Sequence, residues 1–291
     1  MALNRKTFQT RTISAIIFAV IMLAGLLWNF WSFFVLFSVV HFGCWAEYQK
    51  IVGRIDSRYA AISPYHRYGV MIAGWCAMLF FSNGETIFSI SLHAIGLWAG
   101  LVFLIVLPLL EVLFVREINF RIIGYSVAGL LYISLGWAFL TDIRSRFSDE
   151  LFDVGKLLVI AIVFSIWIND TMAYIVGSLI GRTPFSGISP KKTWEGTIGG
   201  IVLSIIVMGS LSYFLDSQFD WSNISHFASI AAIASIMGTA GDLLESKLKR
   251  LAGVKDSGMI LPGHGGFLDR FDSMLIATPF VWLYIIVFMQ S

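Results

Sequence analysis

Apolar residues occur along this chain in long blocks that are separated by short polar segments. A helix needs about 20 predominantly apolar residues to cross the hydrocarbon core of a bilayer. Measured against that length, the pattern predicts about nine membrane-spanning helices, of which the third is short. The predicted spans cover residues 13–27, 30–48, 68–81, 87–113, 122–140, 157–180, 198–215, 227–244 and 274–289.

Lysine and arginine are unevenly distributed among the polar segments. Loops on the cytoplasmic side of a membrane protein are enriched in these residues. If the N-terminus is cytoplasmic and nine spans alternate, all but three of the 20 Lys and Arg residues fall on the cytoplasmic side, the exceptions being Arg144, Arg146 and Lys156. We therefore predict a cytoplasmic N-terminus and a C-terminus outside. The short third span is kept because removing any span would abolish this segregation.

Composition agrees with a membrane protein. Of the residues, 57% are apolar and 13% are charged, which is about half the charged fraction of soluble domains. We predict an all-α, polytopic integral membrane protein with one membrane domain over residues 1–291. It comprises an N-terminal multi-span region to about residue 156 and a second region, from about residue 157, that carries the candidate chemistry. The net charge of +2, without a long basic run, gives no indication of nucleic acid binding.

Two polar loops, residues 181–197 and 246–272, concentrate Gly, Pro, Lys and Asp between apolar blocks. Basic side chains neutralise phosphate oxygens, and glycines allow backbone N–H groups to approach an anion closely. The second loop therefore suits a polyphosphate ligand. Its basic candidates are Lys249, Arg250, Lys255 and Arg270.

Three aspartates lie near the ends of apolar blocks in this region. Asp269 and Asp272 are three residues apart and would share one face of a helix, while Asp242 ends the preceding predicted span. Carboxylates converging beside bound phosphates are the arrangement that holds Mg²⁺. We predict these three residues as metal ligands. The alternative is that they pair with Lys or Arg at the membrane interface.

Residues 246–272 carry the pattern S-x-x-K-R-x4-K-D-x-G-x3-P-x-H-G-G-x2-D-R-x-D without departure. This segment resembles the signature of the phosphatidate cytidylyltransferase family. Residues 189–196 are similar to the S-P-K-K-T-W-E-G element of the same family, and Asn169, Asp170 and Tyr174 resemble its polar patch within a helix. The resemblance is specific over about residues 170–272, and the first half of the chain matches only in being apolar and multi-span.

The resemblance implies transfer of a cytidylyl group from CTP to phosphatidic acid, giving CDP-diacylglycerol and pyrophosphate. It implies Mg²⁺ as the cofactor with room for a second cation, membrane lipids as surroundings, a homodimer, and a bacterial inner membrane with the site facing the cytoplasm. The implied catalytic residues are Asp242, Asp269, Asp272, Lys249 and Arg250. The implied substrate-binding residues are Asp170, Ser189, Lys191, Lys192, Lys255, Asp256, His264, Gly265, Gly266 and Arg270.

Alternatives remain open for several of these residues. Asp170 can serve helix packing alone, Lys191 and Lys192 can be ordinary cytoplasmic charge, and His264 is better explained as a loop-shaping or phosphate-contacting residue than as a general base. Glu47 can serve the site, or reach the membrane interface as a long side chain at a helix end does.

Other functions compete with the cytidylyltransferase interpretation. Acidic residues inside a membrane also mark transporters and channels, but the chain shows no symmetric halves with interrupted spans. A CDP-alcohol phosphotransferase would carry a D-G-x2-A-R motif, which this chain lacks. An inactive protein that keeps the fold is the third alternative, and the intact charged positions argue against it.

Overall fold

The computed structural model describes residues 5–114, 119–147, 153–215, 221–259 and 265–289. Within these ranges the protein is an assembly of helices with one short hairpin, so the all-α prediction is confirmed. The helices are α1 (Arg5–Leu27), α2 (Phe30–Ile55), α3 (Ser57–Ala60), α4 (Pro64–Phe80), α5 (Leu92–Phe114), α6 (Phe120–Gly129), α7 (Leu135–Arg146), α8 (Val154–Ile180), α9 (Trp194–Leu215), α10 (Trp221–Leu251) and α11 (Leu268–Phe288). A π-helical turn, Leu130–Ser134, joins α6 to α7.

Seven helical stretches in the described ranges are long and apolar enough to cross a membrane. They belong to α2, α5, the continuous stretch from α6 to α7, α8, α9, α10 and α11. The apolar part of α1, Ser14–Leu27, is shorter, and α4 has 17 residues. A membrane protein is thus confirmed, whereas the count of nine spans and the sidedness stay predictions.

The fourth predicted span begins too early. Residues 87–91, which the apolar pattern assigned to that helix, belong to a hairpin in which β1 (Thr86–Ile87) pairs antiparallel with β2 (Ile90–Ser91). Phe88 and Ser89 turn the chain with positive φ angles of 48° and 65°, as both central residues of a tight hairpin turn require. Isoleucines favour strands as well as membrane helices, so an apolar count cannot separate the two.

An aromatic core joins the two ends of the chain. Phe37 of α2 lies 4.9 Å from Trp137 of α7, and Trp137 lies 5.4 Å from Phe271 of α11, measured between ring centroids. All three rings are buried, and aromatic pairs at such distances stabilise packing beyond the area that they bury. The contact fixes α2 beside the start of α11, where the candidate site lies.

Glycines bring the helices of the second region close together. A Cβ at Gly196 of α9 would lie 2.7 Å from the carbonyl oxygen of Ala173 in α8, and a Cβ at Gly241 of α10 would collide with the carbonyl oxygen of Asp272 in α11. Helices in membranes associate through such small residues because the backbones can then approach. These two contacts set the distances across the site.

Candidate active site

A cavity of about 450 Å³ lies between α8, α10, α11 and the residues that precede α9. Acidic, basic and hydroxyl side chains line it together, which is rare inside a membrane helix bundle because each is costly to bury in lipid. The lining residues are Asn169, Asp170, Ala173, Tyr174, Gly177, Ser178, Lys191, Lys192, Thr193, Thr197, Thr239, Asp242, Asp269, Asp272 and Ser273.

One face of α8 forms a wall of the cavity. Asp170, Ala173, Tyr174 and Gly177 all line it, and their spacing of three or four residues places them in one row along a helix. The amide nitrogen of Asn169 donates to the Asp170 carboxylate over a long 3.4 Å. Asp170 is exposed, so its carboxylate is available to a ligand that enters the cavity.

The loop before α9 presents two lysines to the cavity. The two sides of the loop are tied together because Phe185 N–H donates to the Lys192 carbonyl at 2.8 Å and Trp194 N–H donates to the Thr183 carbonyl at 3.0 Å. The Glu195 carboxylate accepts hydrogen bonds from the Thr183 hydroxyl, at 2.9 Å, and from the backbone N–H of Thr183. A loop closed by these bonds holds the half-buried Lys192 and the exposed Lys191 at the edge of the cavity.

Three carboxylates converge on the opposite wall. Asp242 and Glu245 of α10 and Asp272 of α11 each offer an oxygen, and these oxygens lie within 4.8 Å of one another. Asp272 and Glu245 are buried, and Lys192 forms an ion pair with Asp242 across the cavity. We call Asp242, Glu245 and Asp272 the acidic cluster.

The acidic cluster fits a divalent cation. Both carboxylate oxygens of Glu245 are buried and lack a hydrogen-bond partner within the described residues, although Lys249 forms an ion pair with this carboxylate. A buried carboxylate without hydrogen-bond partners is unfavourable even beside one lysine, and hard cations such as Mg²⁺ take oxygen ligands of this kind. The donor set therefore matches the metal that the sequence predicts, with Glu245 as a member that the sequence prediction missed.

Asp269 lies beside the acidic cluster but has protein partners of its own. Its Oδ1 contacts Lys249 Nζ at 2.5 Å, and its Oδ2 accepts hydrogen bonds from the backbone N–H groups of Ser257 and Gly266, both at 2.8 Å. The side chain also lines the cavity. Its place among the metal ligands stays a prediction, and its observed contacts organise the loop before α11.

The structure brings six of the predicted site residues to the cavity wall. They are Asp170, Lys191, Lys192, Asp242, Asp269 and Asp272. Lys249 lies behind the wall, in ion pairs with Glu245 and Asp269. The backbone N–H of Gly266 donates to the Asp269 carboxylate. Gly265 adopts a φ of 80°, which is unfavourable for residues other than glycine.

The remaining predicted residues do not line the cavity as the structure describes it. Arg250, Lys255, Asp256 and Arg270 are exposed, and Ser189 accepts the Lys192 N–H within its loop. His264 lies outside the described residues. The roles assigned to these six residues stay predictions.

Hydroxyl groups are the other feature that sequence reasoning missed. Ser178, Thr193, Thr197, Thr239 and Ser273 all line the cavity. The hydroxyls of Ser178 and Thr239 donate to backbone carbonyls of their own helices, and a hydroxyl in such a wall has one proton to donate to a phosphate oxygen when it rotates. Serine and threonine are common inside membrane helices, so their sequence positions alone carry no signal. The position of Glu245, in contrast, could have been recognised from the sequence. It follows Asp242 by three residues and so lies on the same helix face.

Fold and site together define an all-α membrane protein with a cavity in which carboxylates and lysines lie together, an arrangement suited to a polyanionic substrate and a cation. The Cytidylyltransferase family matches residues 9–288, and the chain belongs to that family.

Three curated bacterial relatives carry the name phosphatidate cytidylyltransferase. The protein of Staphylococcus aureus (strain COL) is 36% identical to this chain over 172 residues, that of Staphylococcus haemolyticus (strain JCSC1435) 37%, and that of Staphylococcus epidermidis (strain ATCC 12228 / FDA PCI 1200) 36%. In each case the match covers 59% of this chain and 62% of the relative. This chain therefore spans less than two thirds of the length of these relatives.

Proposed function

We propose that this protein transfers the cytidylyl group of CTP to phosphatidic acid and releases CDP-diacylglycerol and pyrophosphate. Membership of the Cytidylyltransferase family and the names of its relatives support the reaction. The observation that carries the proposal is that Lys191, Lys192, Asp242 and Asp272 all line the same cavity. Two substrates that both bear phosphate need cationic groups for binding and a way to offset their mutual repulsion.

The reaction balances without a proton transfer. An ionised phosphate oxygen of phosphatidic acid attacks the α-phosphorus of CTP and forms a new P–O bond. The bond from the α-phosphorus to the oxygen that bridges it to the β-phosphate breaks, and pyrophosphate leaves with the electron pair. A phosphomonoester has a second pKa of about 6, so the nucleophile is already ionised near neutral pH. We therefore assign no general base, in agreement with the interpretation of His264 as a residue that shapes the loop or contacts phosphate.

Positioning and electrostatics then carry the catalysis. Lys191 and Lys192 bind phosphate oxygens of the two substrates, and the hydroxyl of Thr193 donates a further hydrogen bond. Asp242, Glu245 and Asp272, with Asp269 beside them, would hold Mg²⁺, which neutralises phosphate charge when it is bound. The ion pair between Lys192 and Asp242 is exchanged for substrate contacts as CTP enters.

The lipid substrate enters from the bilayer side of α8. Tyr174, which lines the cavity, is 77% exposed, and Leu179 and Ile180 at the end of the same helix are also exposed apolar residues. A helix that is polar towards the cavity and apolar towards lipid can admit a headgroup while its acyl chains stay in the membrane. The distribution of Lys and Arg supports a cytoplasmic location for the cavity in a bacterial inner membrane. A homodimer and a second cation remain part of the proposal through the family resemblance.

The test is an assay of the purified protein in detergent micelles. With CTP labelled at the α-phosphorus, Mg²⁺ and phosphatidic acid, we expect label to enter a lipid and pyrophosphate to appear in equal amount. Diacylglycerol should not replace phosphatidic acid, because it lacks the attacking phosphate. Excess EDTA should abolish the product.

The matched variant is Asp242→Asn, which keeps the shape of the side chain and removes its charge. We expect at least a tenfold loss of product with unchanged detergent solubility. Failure of the wild-type protein to label lipid, with folded protein and several acyl chains tried, would refute the proposed reaction.

A further inference from the structure

Glu47 of α2 links the N-terminal region to the candidate active site. The side chain is only 4% exposed. One carboxylate oxygen accepts the Phe267 N–H at 3.0 Å, and the other accepts the Leu268 N–H at 2.9 Å and the Ser257 hydroxyl at 2.6 Å. These partners follow Glu47 by more than two hundred positions in the sequence. Interface snorkelling, the alternative that the sequence left open for Glu47, does not describe this buried side chain.

Two described glycines of the segment before α11 approach this carboxylate closely. A Cβ placed on Gly258 or on Gly266 would collide with the Glu47 carboxylate oxygens. Both residues are glycines of the signature segment, and here the small residue is required by a close approach rather than by a turn. The described residues of the signature segment therefore pack around an acid that the N-terminal region supplies.

Glu47 reaches the acidic cluster through a short chain of contacts. The Ser257 hydroxyl that lies 2.6 Å from Glu47 also lies 2.9 Å from Asp269 Oδ2. Asp269 in turn contacts Lys249 at 2.5 Å, and Lys249 forms an ion pair with Glu245. Glu47 is thus connected through Ser257 to Asp269, and through Lys249 to Glu245 of the acidic cluster.

The backbone contacts act on α11 itself. Phe267 and Leu268 stand at the start of this helix, where the first N–H groups have no partner within the helix. Glu47 supplies acceptors to two of them, and a carboxylate at this end also interacts favourably with the helix dipole. Asp269 and Asp272 lie on the turn that follows, so fixing the first amides fixes the direction in which both carboxylates point.

We propose that Glu47 is a positioning residue for this reaction: it anchors the loop and the first turn of α11 so that Asp269 and Asp272 face the cavity. Glu47 does not line the cavity, so it acts through these residues and not by touching substrate. The kinetic part of this inference rests on the proposed function, whereas its structural part does not.

The experiment compares Glu47→Gln with Glu111→Gln. Glu111 is a matched control because it is another poorly exposed acid of the N-terminal region, held 2.9 Å from His66 and absent from the cavity lining. In Glu47→Gln an amide NH₂ replaces one acceptor and faces a backbone or hydroxyl donor. We expect kcat to fall about 10- to 100-fold, as when partners of metal ligands are removed, and the Mg²⁺ concentration for half-maximal rate to rise several-fold. Glu111→Gln should leave both within about twofold of wild type.

A purely structural role would lower the yield of folded protein without changing the Mg²⁺ requirement of what remains. Ser257→Ala gives a second, milder variant that keeps Glu47 and cuts its link to Asp269, and it should raise the Mg²⁺ requirement in the same direction. Unchanged kcat and Mg²⁺ requirement in folded Glu47→Gln and Ser257→Ala would overturn the proposal.

Hydrogen–deuterium exchange separates this inference from the proposed reaction. The amides of Phe267 and Leu268 should exchange at least tenfold faster in Glu47→Gln than in wild type and remain protected in Glu111→Gln. This readout needs no substrate, so it tests the anchor even if the wild-type protein forms no CDP-lipid. Equal protection of these amides in Glu47→Gln and wild type would show that Glu47 does not anchor the helix, and the proposal would fail.

Discussion

The buried acid Asp142 and the acidic cluster lie near different ends of α11, and their surroundings differ. Near the end of α7, Asp142 accepts hydrogen bonds from Asn83 at 2.6 Å, from Trp282 at 2.7 Å and from Arg146 at 2.8 Å. Asn83, Trp282 and Arg146 all act as donors to this carboxylate. At the start of α11, the acidic cluster instead places carboxylates against one another, with Lys192 and Lys249 as cationic partners.

The difference separates an acid that stabilises the fold from acids held ready for a ligand. A buried charge is tolerated when hydrogen bonds and an opposite charge replace its water, and Asp142 meets that condition through neighbours of its own. Carboxylates that converge repel one another, so the acidic cluster is less stable without a cation than with one. Such stored repulsion at a functional site is commonly offset by stability elsewhere in the fold.

The largest expected effect follows from neutralising the centre of the acidic cluster. Asp272→Asn should lower the rate of CDP-lipid formation about 10²- to 10³-fold, the range typical for removing one electrostatic group from an active site. Without Mg²⁺ the variant should melt at the same temperature as wild type or higher, because one of the repelling charges is gone. Initial rates of CDP-lipid formation test the expected loss of activity, and melting temperatures measured with and without Mg²⁺ test the expected effect on stability.

Asp272→Asn is expected to lower the reaction rate while leaving the melting temperature without Mg²⁺ unchanged or higher, and a structural acid would not give this combination. Wild type should gain thermal stability when Mg²⁺ is added, and Asp272→Asn should gain much less. If Asp272→Asn melts at a lower temperature than wild type yet keeps its rate per folded molecule, Asp272 is a structural acid like Asp142. The proposed difference between Asp142 and the acidic cluster would then be wrong.

A smaller effect is expected at the residue that sequence reasoning overlooked. Glu245→Gln removes one ligand candidate but leaves Asp242 and Asp272, and it frees Lys249 from one ion pair. We expect an activity loss of about 10- to 100-fold, most of it recovered at high Mg²⁺, since weakened metal binding is compensated by concentration. The activity curve against Mg²⁺ is the measurement, and a loss that no Mg²⁺ concentration restores would instead assign Glu245 to the positioning of Lys249.

The positions of the long helices could be predicted from the sequence because membrane thickness sets the length of an apolar block. Each predicted span overlaps helical structure, because about 20 apolar residues have few other ways to satisfy their backbone groups in lipid. The exception within the fourth predicted span is residues 87–91, which lie in the hairpin. Where polar residues continue a helix, the apolar count fails. The span predicted to end at residue 244 belongs to α10, which runs to Leu251, and that extension is what places Asp242, Glu245 and Lys249 on one face.

The site was accessible where its residues are close in sequence. Asp269, Asp272 and the two lysines before α9 could be placed by spacing and by the family resemblance, and the structure brings them to one cavity. Glu47 could not be placed, because its partners Ser257 and Leu268 lie in the distant signature loop and a single sequence holds no record of that contact. Only the packing of α2 against α11 brings them together.

The smallest expected effect on activity completes the comparison. Asp142→Asn is the same chemical change as Asp272→Asn, made at an acid whose oxygens already accept from Asn83, Arg146 and Trp282. The new NH₂ group would face donors, so we expect a loss of about 1.5–3 kcal/mol in the free energy of unfolding. The rate per folded molecule and the Mg²⁺ requirement should stay within about twofold of wild type, since surroundings far from the reacting groups usually act on stability alone. Denaturation in detergent and the lipid-labelling assay on the same preparation measure both quantities, and a change in Mg²⁺ requirement with unchanged stability would mean that this end of α11 is coupled to the site.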